Sequence, residues 1–142
     1  ITNGDFETGT LSGWTTTSSN ANTGGCDTGW SVSSVGSATG CSAVANPRGL
    51  KAAYQSFDGS GPKTRSLSQS FLVPTLSSAL LEFWDSYAFN IVLSNKIPRS
   101  LDVNIVSGGV SENVFHFFSP VGTNTGTIPF VHQSVDITNA LL

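Results

Sequence analysis

Asn3-Gly4-Asp5-Phe6-Glu7-Thr8-Gly9-Thr10-Leu11-Ser12-Gly13-Trp14 opens the chain and sets the terms for reading the rest of it. The stretch holds a polar turn, an apolar anchor at Phe6, an acid at Glu7, a glycine-bounded loop and a second large anchor at Trp14. Asn-Gly and Gly-Asp reach positive φ at low cost, so the backbone can bend sharply between two aromatic side chains that favour burial. The reading is an opening strand, a tight loop and the start of a second strand.

Working outward, no segment shows helical periodicity. β-branched and aromatic residues fall in short runs separated by Gly, Pro, Ser and Asn, the pattern of an antiparallel sandwich. After Trp14, a Thr/Ser strand leads into a loop, and a further extended piece begins at Trp30. Residues 50–57 read as a strand with Leu50, Ala52 and Tyr54 on one face. In residues 67–73, Leu67, Gln69, Phe71 and Val73 alternate with smaller residues until Pro74 ends the ladder.

The strongest strand is Leu80–Asn90. Leu81, Phe83, Asp85, Tyr87 and Phe89 share one face, expected to be core, and Leu80, Glu82, Trp84, Ser86 and Ala88 share the other. Ser100–Ser107 repeats the alternation, with Leu101, Val103 and Ile105 inward and Asp102 and Asn104 outward. Residues 113–118 are nearly all apolar, which predicts a central strand or one whose outer face is covered. Residues 131–137 form a last alternating strand.

The opening motif, ending in Gly13-Trp14, resembles the N-terminal signature of galactose-binding-like jelly rolls, especially carbohydrate-binding modules of the four-and-nine type in secreted bacterial proteins. Two further segments are similar to the same family: Pro47-Arg48-Gly49-Leu50-Lys51-Ala52-Ala53, like its Pro-x-Gly entry to an early strand, and Leu67-Ser68-Gln69-Ser70-Phe71-Leu72-Val73-Pro74, like its Leu-x-Gln-x-Phe-x-Val strand. The resemblance implies one all-β domain over 1–142, a jelly-roll β-sandwich of two antiparallel sheets with Trp14 in its core. In that family one or two more strands follow a segment like 136–142, so the chain is expected to lack its closing strand. A fragment, a different closure, or a strand supplied by a neighbouring subunit would each account for this.

The resemblance also implies a structural calcium ion held by the Asp5 carbonyl, the Glu7 carboxylate and the Lys51 carbonyl. Where the family often carries Glu after the proline, this chain has Arg48, and the family's C-terminal Asp is missing. A guanidinium there repels a cation and can bridge Glu7 directly, so a Glu7–Arg48 ion pair is expected in place of a strong calcium site. Asp5 with Asp58 remains an alternative ion site.

Composition bounds the function. Charged residues make up 11% of the 142 residues and the net charge is −3, and the six basic residues form no run, so nothing favours nucleic acid. A neutral surface rich in Ser, Thr, Gly and Asn suits a secreted β-protein. The apolar stretches are too short to span a membrane, and the chain starts at Ile1 with neither Met nor a signal-like segment. Cys26 and Cys41 favour a disulfide worth about 3 kcal/mol, with two free buried thiols as the alternative and a metal pair weaker still.

Carbohydrate recognition asks for a flat aromatic face with amides and carboxylates beside it. Glu82, Trp84, Asp102 and Asn104 have that composition and would share one surface if their strands are neighbours. Trp30 is either a loop anchor or a loop-end sugar platform. Catalysis is disfavoured: Glu82 and Asp85 face opposite ways on a strand, and no nucleophile elbow, phosphate loop or metal-spaced histidine pair occurs. His116 reads as a hydrogen-bonded structural residue and His132 as solvent-facing. The expected function is a noncatalytic extracellular glycan-binding module without a cofactor other than calcium. The alternative is a fibre or surface-layer subunit that self-associates by strand complementation.

Overall fold

The computed structural model describes residues 1–19, 27–34, 38–39, 42–43, 48–57, 62–74, 78–90, 99–118 and 125–142. The chain is all-β. Its strands are β1 (Thr15–Ser18), β2 (Thr28–Ser34), β3 (Ala38–Thr39), β4 (Ser42–Ala43), β5 (Lys51–Ser56), β6 (Arg65–Ser68), β7 (Leu80–Asn90), β8 (Ser100–Ser107), β9 (Val110–Phe118) and β10 (Thr125–Asp136), and the helical content among the described residues is one 3-10 turn, Asn139–Leu141. The strands pair antiparallel as β1–β6, β2–β5, β3–β4, β7–β10 and β8–β9. These antiparallel two-stranded pairings are consistent with a β-sandwich. Two compact units, Ile1–Leu72 and Val73–Leu142, are described in turn.

In the first unit, the opening stretch forms turns and bends rather than an opening strand. Positive φ falls on Asn3 (50°), Phe6 (61°), Gly9 (77°) and Gly13 (85°), not on Gly4, so the strain sits on the anchor itself. Local contacts hold it there. Phe6 lies against Trp14 at 5.4 Å, and the Trp14 indole N–H donates to the Asn3 carbonyl at 3.1 Å. The Asn3 amide donates to the Thr10 carbonyl at 2.9 Å, closing the loop from within.

The expected strand over 67–73 ends at Ser68. Gln69 instead acts as a clamp: its Oε1 accepts from the Thr2 backbone amide at 2.7 Å, and its Nε2 donates to the Thr2 carbonyl at 2.9 Å and the Gly13 carbonyl at 2.7 Å. A side-chain amide thus completes the backbone pairing that a longer strand would have made, and Phe71, Leu72 and Val73 are exposed.

A buried ionic cluster ties the ladders of this unit together. Asp27, 1% exposed, is ion-paired with both Lys63 and Arg65. The Arg65 guanidinium also donates to the Ser56 carbonyl and lies 4.7 Å from the centre of the Phe57 ring. One side chain from β6 therefore meets the residue leading into β2 and the end of β5.

The second unit is built in two layers. Along β7, Leu81, Phe83, Asp85 and Tyr87 are buried or half-buried while Glu82, Trp84 and Ser86 are exposed, as the alternation predicts. The β7–β10 and β8–β9 ladders share no pairing, yet the Phe83 ring meets Phe115 edge-on at 5.3 Å and Tyr87 stacks on Phe117 at 4.0 Å. Rings from two separately bonded ladders in contact are the mark of face-to-face sheets. The 3-10 turn packs against β8, and the Ile137 amide bonds the Ala79 carbonyl at 3.0 Å, placing Ile137 in the core.

The covered outer face expected over 113–118 is not what forms. Phe118 is 46% exposed, and β9 keeps a plain alternation after its bulge. Bulges interrupt both ladders, between Val103 and Asn104 opposite Phe115 and Asn113, and between Ile128 and Val131 on β10. The second contains Pro129, which cannot donate a ladder hydrogen bond.

Removing Asp27 would strand two buried cations, so Asp27→Ala is expected to lower the unfolding free energy by about 4 kcal/mol. Urea unfolding measures this; a loss below about 1 kcal/mol, the range of exposed pairs, would show that the cluster is solvated.

Candidate functional site

The outer face of β7–β10 carries the first candidate. Trp84 and His132 are direct cross-strand partners, and their rings lie 4.9 Å apart at 30°. Glu82, two residues along the same face, brings Oε1 to 3.4 Å from His132 Nε2. That separation is long for a hydrogen bond and leaves a loose carboxylate–imidazole pair. Trp84 remains 38% exposed, so part of its indole face is open beside a carboxylate and an imidazole.

Asp102 and Asn104 do not join this surface. Their strand pairs with β9, not with β7, and the inner aromatic rings lie between the two ladders. Period-two geometry then points Trp84 and Glu82 away from Asp102 and Asn104, so the single four-residue surface expected from the sequence is two separate faces.

On the β8–β9 face, Asp102 Oδ1 lies 2.7 Å from His116 Nδ1 and accepts from Asn113 Nδ2 at 3.1 Å, while Oδ2 accepts from the Ser100 hydroxyl at 3.1 Å. Asn113 Nδ2 also donates to Asn104 Oδ1 at 3.1 Å. The His116 hydrogen bond, with smaller contributions from Ser100 and Asn113, holds the Asp102 carboxyl below its ordinary value of 3.8. His116 is therefore hydrogen-bonded, as expected, and half exposed.

On the inner face, Asp85 is 8% exposed, and its Oδ1 and the neighbouring Tyr87 hydroxyl are buried without a well-formed hydrogen bond. Burial first, and the adjacent Asp85 second, push the Tyr87 phenol above its usual range. Glu82 and Asp85 stand on opposite faces of β7 and cannot act as a pair.

The residues proposed for calcium come together differently. Glu7 Oε1 accepts the backbone amides of Leu50 at 2.8 Å and Lys51 at 2.9 Å, and Asp5 Oδ1 accepts the Glu7 amide at 3.2 Å. Backbone amides therefore hold this carboxylate. A side chain at 49 would collide with Glu7 Oε1, so Gly49 is what lets the carboxylate reach those amides. Calcium asks for six to eight oxygens, whereas N–H donors converge here, with the Lys51 ammonium beside Gly9. This donor set does not fit the ion.

Trp30 is a half-buried strand residue at the β2 bulge, with its indole N–H buried and unbonded, rather than a loop-end platform. Cys26 and Cys41, with Pro47 and Asp58, lie outside the described residues. Sequence reasoning missed His132 and Asn113 as site members. His132 was legible as outward-facing, but its partner depends on which strands pair; Asn113 reaches the His116 side only because of the bulge.

Among the described residues no helix is long and apolar enough to cross a membrane. Comparison with models of protein families, with curated proteins and with solved structures finds no match to this chain.

The amide-bound carboxylate predicts that Glu7→Ala costs about 1–2 kcal/mol of stability, the value of exposed charge-assisted hydrogen bonds. Thermal melts of the wild type should be the same with calcium or with a chelator; a chelator-induced fall of several degrees would contradict the assignment.

Proposed function

We propose that this chain is a noncatalytic carbohydrate-binding module of a secreted protein, recognising a neutral glycan on the β7–β10 outer face. The observation that carries this is the exposed Trp84 indole flanked by His132 and Glu82. An open aromatic face takes the C–H side of a pyranose, and the flanking carboxylate and imidazole orient its hydroxyls. The low surface charge and the resemblance to galactose-binding-like modules support the same reading, including the secreted setting.

The indole supplies the area and the polar pair supplies direction, so affinity should be weak and insensitive to salt. Trp84→Ala is expected to reduce retention about thirty-fold in gels containing xylan, mixed-linkage β-glucan, laminarin or galactomannan, as for a central aromatic contact. Its melting temperature should stay within a few degrees of wild type, because the side chain is at the surface. Retention unchanged by the substitution, or absent on all four polysaccharides, would contradict the proposal.

A further inference from the structure

The β8–β9 outer face carries a polar cluster that the Trp84 reading leaves unused. Its construction depends on the bulge. On a regular strand, residues 113 and 116 face opposite sides, but the bulge at Val114 sets Asn113 opposite Asn104 and His116 opposite Asp102 on one face. Four side chains are then joined around Asp102, as described above.

The bonds within the cluster fix the polarity of the atoms left over. A carboxylate can only accept, so His116 Nδ1 carries a proton and neutral His116 presents Nε2 as an acceptor. Asn113 spends both amide hydrogens, on Asp102 and Asn104, which leaves its Oδ1 as a second acceptor. Asn104 accepts through Oδ1, which leaves its Nδ2 as a donor. Phe118, 46% exposed, lies 6.0 Å from the His116 ring and adds an apolar face.

Exposed polar side chains normally exchange freely with water; holding five in one bonded set preorganises their remaining valences. The chemistry of those valences selects a ligand. An anion would meet the Asp102 charge, and a divalent cation would find one carboxylate with both oxygens already engaged. Alternating acceptors and a donor beside an aromatic ring match adjacent hydroxyls on a ring with a C–H face.

We infer that the face formed by Asp102, Asn104, Asn113, His116 and Phe118 is a second glycan site, which takes a vicinal diol of a neutral sugar. It acts independently of Trp84. Because the two faces lie on opposite sides of the unit's two layers, occupation of both makes the unit bivalent.

The test is an NMR titration that observes the Asn113 side-chain amide and the His116 ring nitrogens. The probes are the methyl glycosides of glucose, galactose, mannose and xylose, each to roughly 50 mM, enough to fill a millimolar site. The inference expects dose-dependent shifts with at least one glycoside, the same shifts in Trp84→Ala, and at least a tenfold weaker response of His116 in Asn113→Ala. Asn104→Ala serves as the second variant, and the backbone amide spectrum confirms that each is folded. The inference is overturned if none of the four moves these signals, if the response of His116 is undiminished in both asparagine variants, or if it vanishes in Trp84→Ala. Polysaccharide retention unchanged in Trp84→Ala would remove the first reading and leave this one standing.

Discussion

The contact between the inner aromatic rings of the second unit decides what its outer faces can be. Phe83 against Phe115 and Tyr87 against Phe117 hold two separately bonded ladders together. A strand alternates with a period of two, so once these rings face inward, Trp84, Glu82, Asp102 and His116 have no choice but to face out. Every functional statement about the unit rests on that geometry. A one-residue slip in β7 would bury Trp84 and expose Phe83.

The first unit is tied together by polar contacts as well as by the Phe6–Trp14 ring pair. Asp27 with Lys63 and Arg65, Glu7 with two backbone amides, and Gln69 with Thr2 and Gly13 each join segments distant in sequence. Burying the ionic cluster is costly unless the partners satisfy one another, so removing one of them costs more than the cluster itself contributes. Phe6 at positive φ belongs to the same logic, since the Trp14 contact and the Asn3 bonds hold a conformation that the residue alone disfavours.

The alternation over residues 81–87 and in Ser100–Ser107 is readable to the residue, because both stretches have one buried and one wet face. Less of the site was readable. Which strands pair is a long-range property, and assuming that residues 80–90 and 100–107 are neighbours merged two faces into one. The bulges were invisible to periodicity because a single extra residue reverses the facing of everything beyond it. Residues 67–73 fit a strand pattern, but Gln69 turns its amide to the N-terminal segment and the ladder stops. The Glu7 carboxylate binds main-chain amides, and no side-chain inventory shows these.

Contact between sugar and indole tests the account most directly. In the complex with whichever of the screened glycans is retained, selective saturation of the Trp84 indole protons should transfer to the C–H protons of one sugar face. Such transfer would show that the open face of Trp84 is the platform. Retention with no transfer from Trp84 would contradict the account and place recognition elsewhere on the molecule.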